Sequence, residues 1–239
     1  MASTVTLIPA VILAGGLATR LKPLTEQIPK VLLTVAGRPF LEHQLELLRS
    51  EGISQVLILA GHLGERIQET FGDGTRYGIS IRYSFDGPTL LGTGGAIRKA
   101  LPLLTDRFFV IYGDSYLTCS FRDVQQVFVE SGKQGLMTVY RNNDQFDTSN
   151  VQFERSSIVA YDKKHQTPQM HHIDYGLGAF RREVFEALPF DTNIDLATIY
   201  QDLLRRGQLA AFEVRERFYE IGSLSGLKET DEYLRRARS

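Results

Sequence analysis

The sequence predicts an α/β fold whose mostly parallel central sheet is covered by helices on both faces. First, apolar runs typical of buried strands alternate with helical patterns through the first half of the chain. Second, three of these runs end at Gly15, at Ala60-Gly61 and at Gly113-Asp114. Third, 239 residues with 43% hydrophobic content are enough to bury a substantial core. Because ligands bind beyond the carboxyl ends of strands in such sheets, those three positions indicate where a site is expected.

Each element is predicted from its own pattern, in chain order. Short apolar runs predict strands at residues 10–14, 56–60, 79–83 and 108–112, and later at 136–140, 158–161 and 173–180. Amphipathic spacing between Pro39 and Gly52 predicts a helix over 40–51, and shorter patterns predict helices over 64–71 and 94–104. Ser120 with Asp123 three residues later begins a helix that Gly132 closes. Further helices are expected over 182–188, 195–206 and 224–236.

Composition and charge exclude several classes of protein. The formal net charge is −1, so no general basic field attracts nucleic acid, and any anion must be held by a local cluster. The stretch MASTVTLIPAVILAGG lacks a basic region, and no run reaches about 18 uninterrupted apolar residues, so neither a signal peptide nor a membrane span is expected. The single Cys119 cannot form an internal disulfide, which favours a reducing, cytoplasmic setting.

The stretch AVILAGGLATRLKPLTEQIPK, residues 10–30, leaves an apolar strand through two glycines and then places three cations nearby. An anion can approach the backbone closely at Gly15-Gly16, because no Cβ intervenes. The pattern is neither GxxxxGK[ST] nor GxGxxG, so a P-loop and a dehydrogenase-type dinucleotide site are unsupported. A plain strand-to-helix turn with exposed cations is the alternative, and Lys22 is expected to be a solvated surface charge.

A longer segment, GGLATRLKPLTEQIPKVLLTVAGRPFLEH, resembles the amino-terminal signature of the sugar-1-phosphate nucleotidyltransferases. That signature runs GGxGTRLxPxT and then PK, and the similarity continues through LGTGGAIRKAL, YGDS, YDKK, DYGLGAF and FYEIGSLSGL, over residues 9–236. Within the family, the sequence resembles short bacterial members such as the heptose-1-phosphate guanylyltransferases. The resemblance implies a three-layer, Rossmann-like nucleotidyltransferase fold with a mixed central sheet and a smaller sugar-binding subregion. One departure is Ala18, which stands where the family has its third glycine.

The resemblance assigns the nucleotide to the first half of a single domain, residues 9–134. Arg20 and Lys30 would clamp the triphosphate, a role that phosphoryl and nucleotidyl transfers demand on chemical grounds as well. The backbone of Leu13, Ala14, Gly15 and Gly16 would lie against the nucleotide. The base would be read by Gly92, Thr93 and Gly94, although a glycine-rich helix start with packing reasons alone is the alternative.

A magnesium site is expected at the end of the strand FFVIY. Apolar strands commonly present a metal-binding carboxylate at this end, and Mg²⁺ takes a few carboxylates together with substrate oxygens and waters. Asp114 matches the metal-binding aspartate of the family. Glu220 of FYEIG stands where the family usually has aspartate, so it is predicted as the second ligand through a longer side chain, against a plain strand-end carboxylate.

The second half, residues 135–239, would bind the sugar phosphate and end in the carboxy-terminal helix. By resemblance, Asp162 would contact a sugar hydroxyl and Lys163 the sugar phosphate, although Lys164 replaces the proline that usually follows. Gly176 would permit close approach of the sugar ring. Asp174 replaces an amide of the family pattern with a carboxylate, which favours hydroxyl donors or a cationic sugar substituent.

The expected reaction is NTP plus sugar 1-phosphate giving NDP-sugar plus pyrophosphate with Mg²⁺, with a preference for GTP and a heptose or hexose 1-phosphate. An N-acetylmuramate 1-phosphate uridylyltransferase, or another pair of base and sugar, remains an alternative. Ala18 and Glu220 keep open a non-catalytic, nucleotide-sensing protein on the same fold. A glycosyltransferase is a weaker alternative, because GDSY offers one carboxylate where Asp-x-Asp is usual. No nucleic-acid or membrane partner is expected, and a homo-oligomer is compatible with the sequence.

Overall fold

The computed structural model describes residues 6–16 and 19–237, and the chain divides into two compact units. The first unit comprises the described residues of Met1–Leu90, Ile111–Tyr116 and Phe218–Ser239. The second comprises Leu91–Val110 and Leu117–Arg217. Within the described part of the chain, no helix has both the length and the apolar surface needed to cross a bilayer.

The strands and helices are numbered here in chain order. The strands are β1 (Ala10–Ala14), β2 (Thr34–Val35), β3 (Arg38–Pro39), β4 (Gln55–Ala60), β5 (Ser80–Phe85), β6 (Arg107–Tyr112), β7 (Ser115–Tyr116), β8 (Gly135–Arg141), β9 (Val151–Glu154), β10 (Ser157–Tyr161), β11 (His172–Arg181), β12 (Leu209–Val214) and β13 (Tyr219–Glu220). The α-helices are α1 (Phe40–Glu51), α2 (Gly64–Phe71), α3 (Gly92–Ala100), α4 (Phe121–Ser131), α5 (Glu183–Glu186), α6 (Leu196–Arg205) and α7 (Leu224–Arg236). Short 3₁₀ turns lie at Thr19–Leu21, Lys30–Leu32, Thr75–Tyr77 and Leu101–Leu103.

Parallel strands form the sheet of the first unit, as their continuous apolar runs predict. β1 pairs with β4 in parallel from Ala10↔Val56 to Ala14↔Ala60, and β4 pairs with β5 up to Ala60↔Phe85. The carboxyl ends of the three strands therefore meet at one edge, where the loops after Ala14, Ala60 and Phe85 lie side by side.

The carboxy-terminal helix α7 belongs to the first unit and shares a buried cluster with α1. Val35, Phe40, Ile221 and Leu234 are its buried members. The cluster also packs against Tyr116 and Tyr233, so burial of apolar surface holds α7 beside the short strands β7 and β13. These two strands pair antiparallel through Tyr219↔Tyr116 and Glu220↔Ser115.

The second unit has a mixed strand arrangement. β8 pairs antiparallel with β11 and parallel with β12, and β9 pairs antiparallel with β10. The β11–β8 register shifts between Asp174 and Gly178, and Gly176 adopts φ +102° inside this irregular stretch. Such irregularities re-aim side chains, and a positive φ of this size strongly favours glycine.

The predicted α/β fold class with a mixed sheet is confirmed, and several helix bounds are reproduced. Helices α1, α2 and α7 occupy the predicted ranges, and the side chain of Ser120 accepts the predicted cap bond from the Asp123 N–H at 3.2 Å. The prediction of a helix over 94–104 was wrong in its bounds: α3 begins at Gly92, ends at Ala100 and gives way to a 3₁₀ turn containing Pro102, which lacks an N–H. The helix predicted over 182–188 is the single turn α5.

Candidate active site

The glycine loop after β1 lies against the loop after β4 in the first unit. A Cβ on Gly15 would sit 3.1 Å from the Gly61 nitrogen, and one on Gly61 would sit 2.6 Å from the Gly15 oxygen. The two backbones can therefore touch only because neither residue has a side chain. Gly16 is exposed, and no heavy atom of the described residues lies within 4 Å of its Cβ position, which leaves space for a ligand beside its backbone in that part of the chain. Leu17 and Ala18, and with them the departure from the family glycine, lie outside the described residues.

Leu13 and Ala14 form the half-buried end of β1 that leads into this loop. The Leu13 carbonyl accepts a hydrogen bond from the Gly113 N–H at 3.0 Å, and Ala14 pairs with Ala60. A Cβ on Gly113 would lie 2.6 Å from that Leu13 oxygen, which is why the residue before Asp114 is glycine. The strand end that was predicted to face the nucleotide is thus joined directly to the turn that carries Asp114.

Arg20 and Lys30, the two cations predicted to clamp the triphosphate, differ in their contacts. Arg20 is exposed, and within the described ranges its guanidinium makes no hydrogen bond or ion pair. The Lys30 ammonium donates to Asp114 Oδ2 at 2.8 Å, with 18% and 29% of the two side chains exposed. Lys22 is exposed, in agreement with its interpretation as a surface charge.

The Asp114 backbone is held by strand β13 as well as by β1. Its carbonyl accepts from the Ile221 N–H at 2.9 Å, and the next residue, Ser115, is the register partner of Glu220. Of the two carboxylates predicted as metal ligands, Asp114 therefore lies directly before β7, and Glu220 lies on its partner strand β13. Their pairing joins residues more than one hundred positions apart in the chain.

The Glu220 carboxylate is bound at the amino terminus of α7. Gly222 N–H donates to Glu220 Oε2, and the Ser223 hydroxyl donates to Oε1 at 2.6 Å. Ser223 is also the helix cap, because its side chain accepts from the Gly226 N–H at 2.9 Å. A Cβ on Gly226 would overlap the Glu220 carboxylate, so the extra methylene of glutamate is accommodated by a glycine in the first helical turn.

Functional groups of four sequence segments converge near Gly222. A Cβ at Gly222 would lie 2.7 Å from Glu220 Oε2, 3.2 Å from an Arg20 guanidinium nitrogen and 3.3 Å from Asp114 Oδ2. The two carboxylate oxygens are therefore at most about 6.0 Å apart, the sum of the first and third of these distances. Together with Lys30 on Asp114, two cations and two carboxylates lie within a few ångströms in the first unit. The sequence-predicted Arg20, Lys30, Asp114 and Glu220 are brought together.

These groups suit a divalent cation that keeps most of its ligands from elsewhere. Within residues 6–16 and 19–237, the structure shows no group of three or more His, Cys, Asp or Glu side chains that could hold a metal by themselves. Mg²⁺ does not need one, since it commonly takes one or two carboxylates together with phosphate oxygens and waters. Each carboxylate oxygen of Glu220 also has a further lone pair beyond the bond it accepts from α7.

The predicted base loop in the second unit has a packing partner of its own. The N–H groups of Gly94 and Gly95 both donate to the Ile194 carbonyl, at 2.7 and 3.3 Å. The Thr93 hydroxyl accepts from the Leu196 N–H at 2.7 Å and so helps to cap α6. A Cβ on Gly92, which has φ +68°, would lie 2.7 Å from the Ile194 oxygen. These contacts supply the packing reason for the glycines, and base recognition by Gly92, Thr93 and Gly94 stays a prediction.

The predicted sugar-side residues lie close together in the second unit. Lys163 Nζ is 3.7 Å from Asp174 Oδ2, and Asp174 Oδ1 accepts from the Gly176 N–H at 3.1 Å. The Asp174 side chain is only 3% exposed, while Lys163 is 37% exposed. Asp162 accepts from the N–H groups of Lys164 and His165, and these bonds lower the pKa of its carboxyl. Asp162 therefore shapes the loop that presents Lys163.

Sequence reasoning missed residues that organise both groups of side chains. Ser223 was a recognisable signal, because a serine directly before a helical pattern is a common cap. Asn150 had none: its Oδ1 accepts from Asp174 N–H and its carbonyl accepts from Asp162 N–H, each at 3.0 Å. Asn150 thus joins two predicted sugar-side segments through contacts that depend on the fold.

The chain matches the family model described as nucleotidyl transferase over residues 9–236. It is 29% identical to D-glycero-alpha-D-manno-heptose 1-phosphate guanylyltransferase of Campylobacter jejuni, over 89% of this chain and 94% of that protein. It is 28% identical to N-acetylmuramate alpha-1-phosphate uridylyltransferase of Neisseria meningitidis, over 92% and 95%. It is also 29% identical to UTP–glucose-1-phosphate uridylyltransferase of Synechocystis over 78% of this chain, and there it spans about half of the relative, 52%.

Solved structures share the fold. A Bacillus anthracis structure, provisionally described as a glucose-1-phosphate thymidylyltransferase, aligns with a TM-score of 0.84 at 23% identity over 95% of both chains. HddC from Yersinia pseudotuberculosis aligns with a TM-score of 0.79 at 24% identity, over 95% of this chain and all of that one. These neighbours confirm the predicted nucleotidyltransferase fold.

Proposed function

The chain belongs to the nucleotidyl transferase family, and from that premise we propose that it makes NDP-sugar and pyrophosphate from an NTP and a sugar 1-phosphate. The observation that carries the proposal is the convergence of Arg20, Lys30, Asp114 and Glu220 in the first unit. Opposite charges at such spacing suit a reaction in which charge on phosphate oxygens must be neutralised. The preferred substrates are GTP and a heptose or hexose 1-phosphate.

In the proposed reaction, the protein does not form a covalent bond with either substrate. A phosphate oxygen of the sugar 1-phosphate attacks the α-phosphorus in line, a new P–O bond forms, and the bond to pyrophosphate breaks. Arg20, whose guanidinium is exposed and makes no bond with the described residues, would hold the triphosphate. Lys30 would stabilise the charge that develops around the reacting phosphorus. Groups fixed before the reaction contribute most to catalysis of this kind, and the Lys30–Asp114 bond at 2.8 Å fixes one of them.

Asp114 and Glu220 would hold a divalent cation, which we propose is Mg²⁺. When bound, this ion would supply positive charge to the phosphate oxygens of the substrates. Family members commonly use a divalent metal. Before a metal binds, Lys30 would balance the negative charge of Asp114, because its ammonium forms an ion pair with that carboxylate. The α7 amino terminus would hold Glu220 in place through Gly222 and Ser223.

The second unit would supply recognition of the sugar phosphate. Lys163 is the exposed cation for the phosphate, Gly176 offers backbone without a side chain, and Asp174 with Asp162 offers carboxylate acceptors for hydroxyl groups. Gly92, Thr93 and Gly94 would contact the base through whatever surface remains beside Ile194. We further propose a cytoplasmic location, because the sequence has one cysteine, Cys119, which is buried and cannot form an internal disulfide.

The assignment is tested by a matched pair of variants in one loop. Arg20→Ala should lower the rate of pyrophosphate release at least about 100-fold, the scale of one preorganised electrostatic group. Lys22→Ala removes an exposed cation two residues away and should stay within about twofold, because a solvated charge contributes little. Equal effects of the two substitutions on the rate would show that Arg20 is not part of the active site.

A nucleotide-sensing protein is the second candidate, and the bonds on Glu220 favour it. Each oxygen of that carboxylate already accepts a bond from Gly222 or Ser223, just before α7, so each has only one further lone pair for a metal. Such a protein would bind NTP or NDP-sugar and release no pyrophosphate. Isothermal titration with NTP, run beside the pyrophosphate assay, separates the two candidates.

A further inference from the structure

Gln44 is a buried polar residue on α1 that the proposed chemistry does not use. Its residue surface is 3% exposed, and the other buried residues of α1 include the apolar Leu41 and Leu45 and the polar His43. Its Nε2 donates to the Tyr112 carbonyl at 3.2 Å and to the Ser115 carbonyl at 2.8 Å. These two carbonyls stand on either side of Gly113-Asp114, so one amide group spans the turn that carries the carboxylate.

The orientation of this amide is determined by its partners. Two carbonyl oxygens can be served only by the NH₂ group, because the reverse orientation would set oxygen against oxygen. Gln44 Oε1 is consequently buried without a hydrogen-bond partner among the described residues. An unpaired buried acceptor is destabilising, and a leucine or methionine of similar volume would avoid it. The unpaired Oε1 is thus a local cost of keeping an amide here, set against the two bonds that Nε2 donates.

The backbone hydrogen bonds of Gly113 and Asp114 hold other parts of the turn than the bonds from Gln44 do. Gly113 N–H bonds to the Leu13 carbonyl, and the Asp114 carbonyl accepts from Ile221 N–H, so β1 and β13 each hold one side. Neither contact reaches the Tyr112 or the Ser115 carbonyl. Gln44 ties these two together from the core side, and Ser115 is also the register partner of Glu220. The amide thus bonds to the residue that directly follows Asp114 and that pairs with Glu220.

We propose that Gln44 is a positioning residue for the Asp114–Glu220 pair, fixing the turn so that the two carboxylates present one divalent-cation site. It does not touch substrate, and it acts through the Tyr112 and Ser115 carbonyls. The inference rests on the proposed function for its catalytic consequence, but the cation-binding consequence stands independently. Loss of the amide donors should let the turn relax and weaken the cation site while leaving the fold intact.

The test measures Mn²⁺ binding to the full chain by electron paramagnetic resonance of free Mn²⁺, without substrate. Asp114→Ala identifies the site, because this variant should no longer bind the Mn²⁺ ion that the wild type binds there. Gln44→Met, which keeps volume and removes both donors, should raise the Kd for Mn²⁺ about fivefold or more. Gln125→Met removes a buried glutamine from α4 of the other unit and should leave the Kd unchanged.

Melting temperatures and steady-state kinetics complete the experiment. Gln44→Met removes the unpaired acceptor but also takes a donor from the Tyr112 and Ser115 carbonyls, so these opposing effects should keep its melting temperature close to that of the wild type, while its rate at saturating substrate falls and its requirement for Mg²⁺ rises. Wild-type Mn²⁺ affinity in Gln44→Met would overturn the inference, as would a wild-type chain with no Asp114-dependent Mn²⁺ site. Asp114-dependent binding that weakens in Gln44→Met, in a chain that releases no pyrophosphate with any substrate, would support the inference and reject the proposed function.

Discussion

Gly226→Ala should release Glu220 from helix α7, and the size of the effect follows from the contacts there. The added methyl would overlap the Glu220 carboxylate and lie 2.7 Å from the Glu220 carbonyl oxygen. The side chain must then leave the bonds from Gly222 N–H and the Ser223 hydroxyl. Hydrogen bonds to a charged group contribute roughly 1.5–3 kcal/mol each. Renewed hydration of the half-buried carboxylate recovers part of this, and alanine regains up to about 1 kcal/mol of helix propensity.

The expected net destabilisation is about 2 kcal/mol, which corresponds to a fall in melting temperature of roughly 4–8 °C for a chain of this size. A double-mutant cycle isolates the cause. In the Glu220→Ala background the carboxylate is already absent, so the same Gly226→Ala change should cost less by at least about 1.5 kcal/mol. Thermal denaturation of the four proteins, followed by circular dichroism, measures the coupling. Equal losses in both backgrounds would refute the assignment of Gly226 to the space around Glu220.

Three further outcomes are expected. Lys30→Met should lower the rate of pyrophosphate release at least about 100-fold, measured at saturating substrates, and a rate near wild type would remove Lys30 from the site. Lys163→Ala should raise the KM for the sugar 1-phosphate about tenfold, as for one charge-assisted bond, with little change in the KM for NTP; an unchanged KM for the sugar 1-phosphate would contradict its role. The bonds from Arg235 and from the Ala36 N–H hold the pKa of the Asp231 carboxyl below its ordinary value of 3.8. The stability that Asp231 adds is therefore full above about pH 5 and lost as pH falls through the lowered pKa, so the melting temperatures of wild type and Asp231→Asn should converge in acid. A difference in melting temperature that does not shrink as the pH is lowered from about 5 through the acid range would contradict this.

Local sequence patterns predicted the helices whose apolar spacing and end signals lie in or directly beside their own residues. The helix α1 between Pro39 and Gly52 has the predicted bounds, because its apolar spacing and its end signals agree. The same holds for α7, whose cap Ser223 directly precedes its first residue. By contrast, β7 and β13 have two residues each and exist through pairing across the chain, so no periodicity could indicate them.

The sequence predicted which residues form the candidate site but not the contacts between them. Motif similarity named Lys30, Asp114 and Glu220, but the 2.8 Å bond between the first two joins positions 84 apart. The environment of Glu220 follows from the geometry of α7, and it explains how a longer acid fits where aspartate is usual. The glycines of LGTGG illustrate the opposite case. Their pattern suggests open backbone, yet the Ile194 carbonyl occupies the N–H groups of Gly94 and Gly95.

The most direct test of the account is pyrophosphate release with Mg²⁺, measured over a grid of substrates. GTP, UTP, CTP, dTTP and ATP would each be paired with heptose, mannose, glucose and N-acetylmuramate 1-phosphates, with Asp114→Ala as the control for each productive pair. One strong pair is expected, led by GTP with a heptose or hexose 1-phosphate, and Asp114→Ala should abolish its activity. No release from any pair, with NTP binding still detected by calorimetry, would contradict catalysis and support a nucleotide-sensing protein.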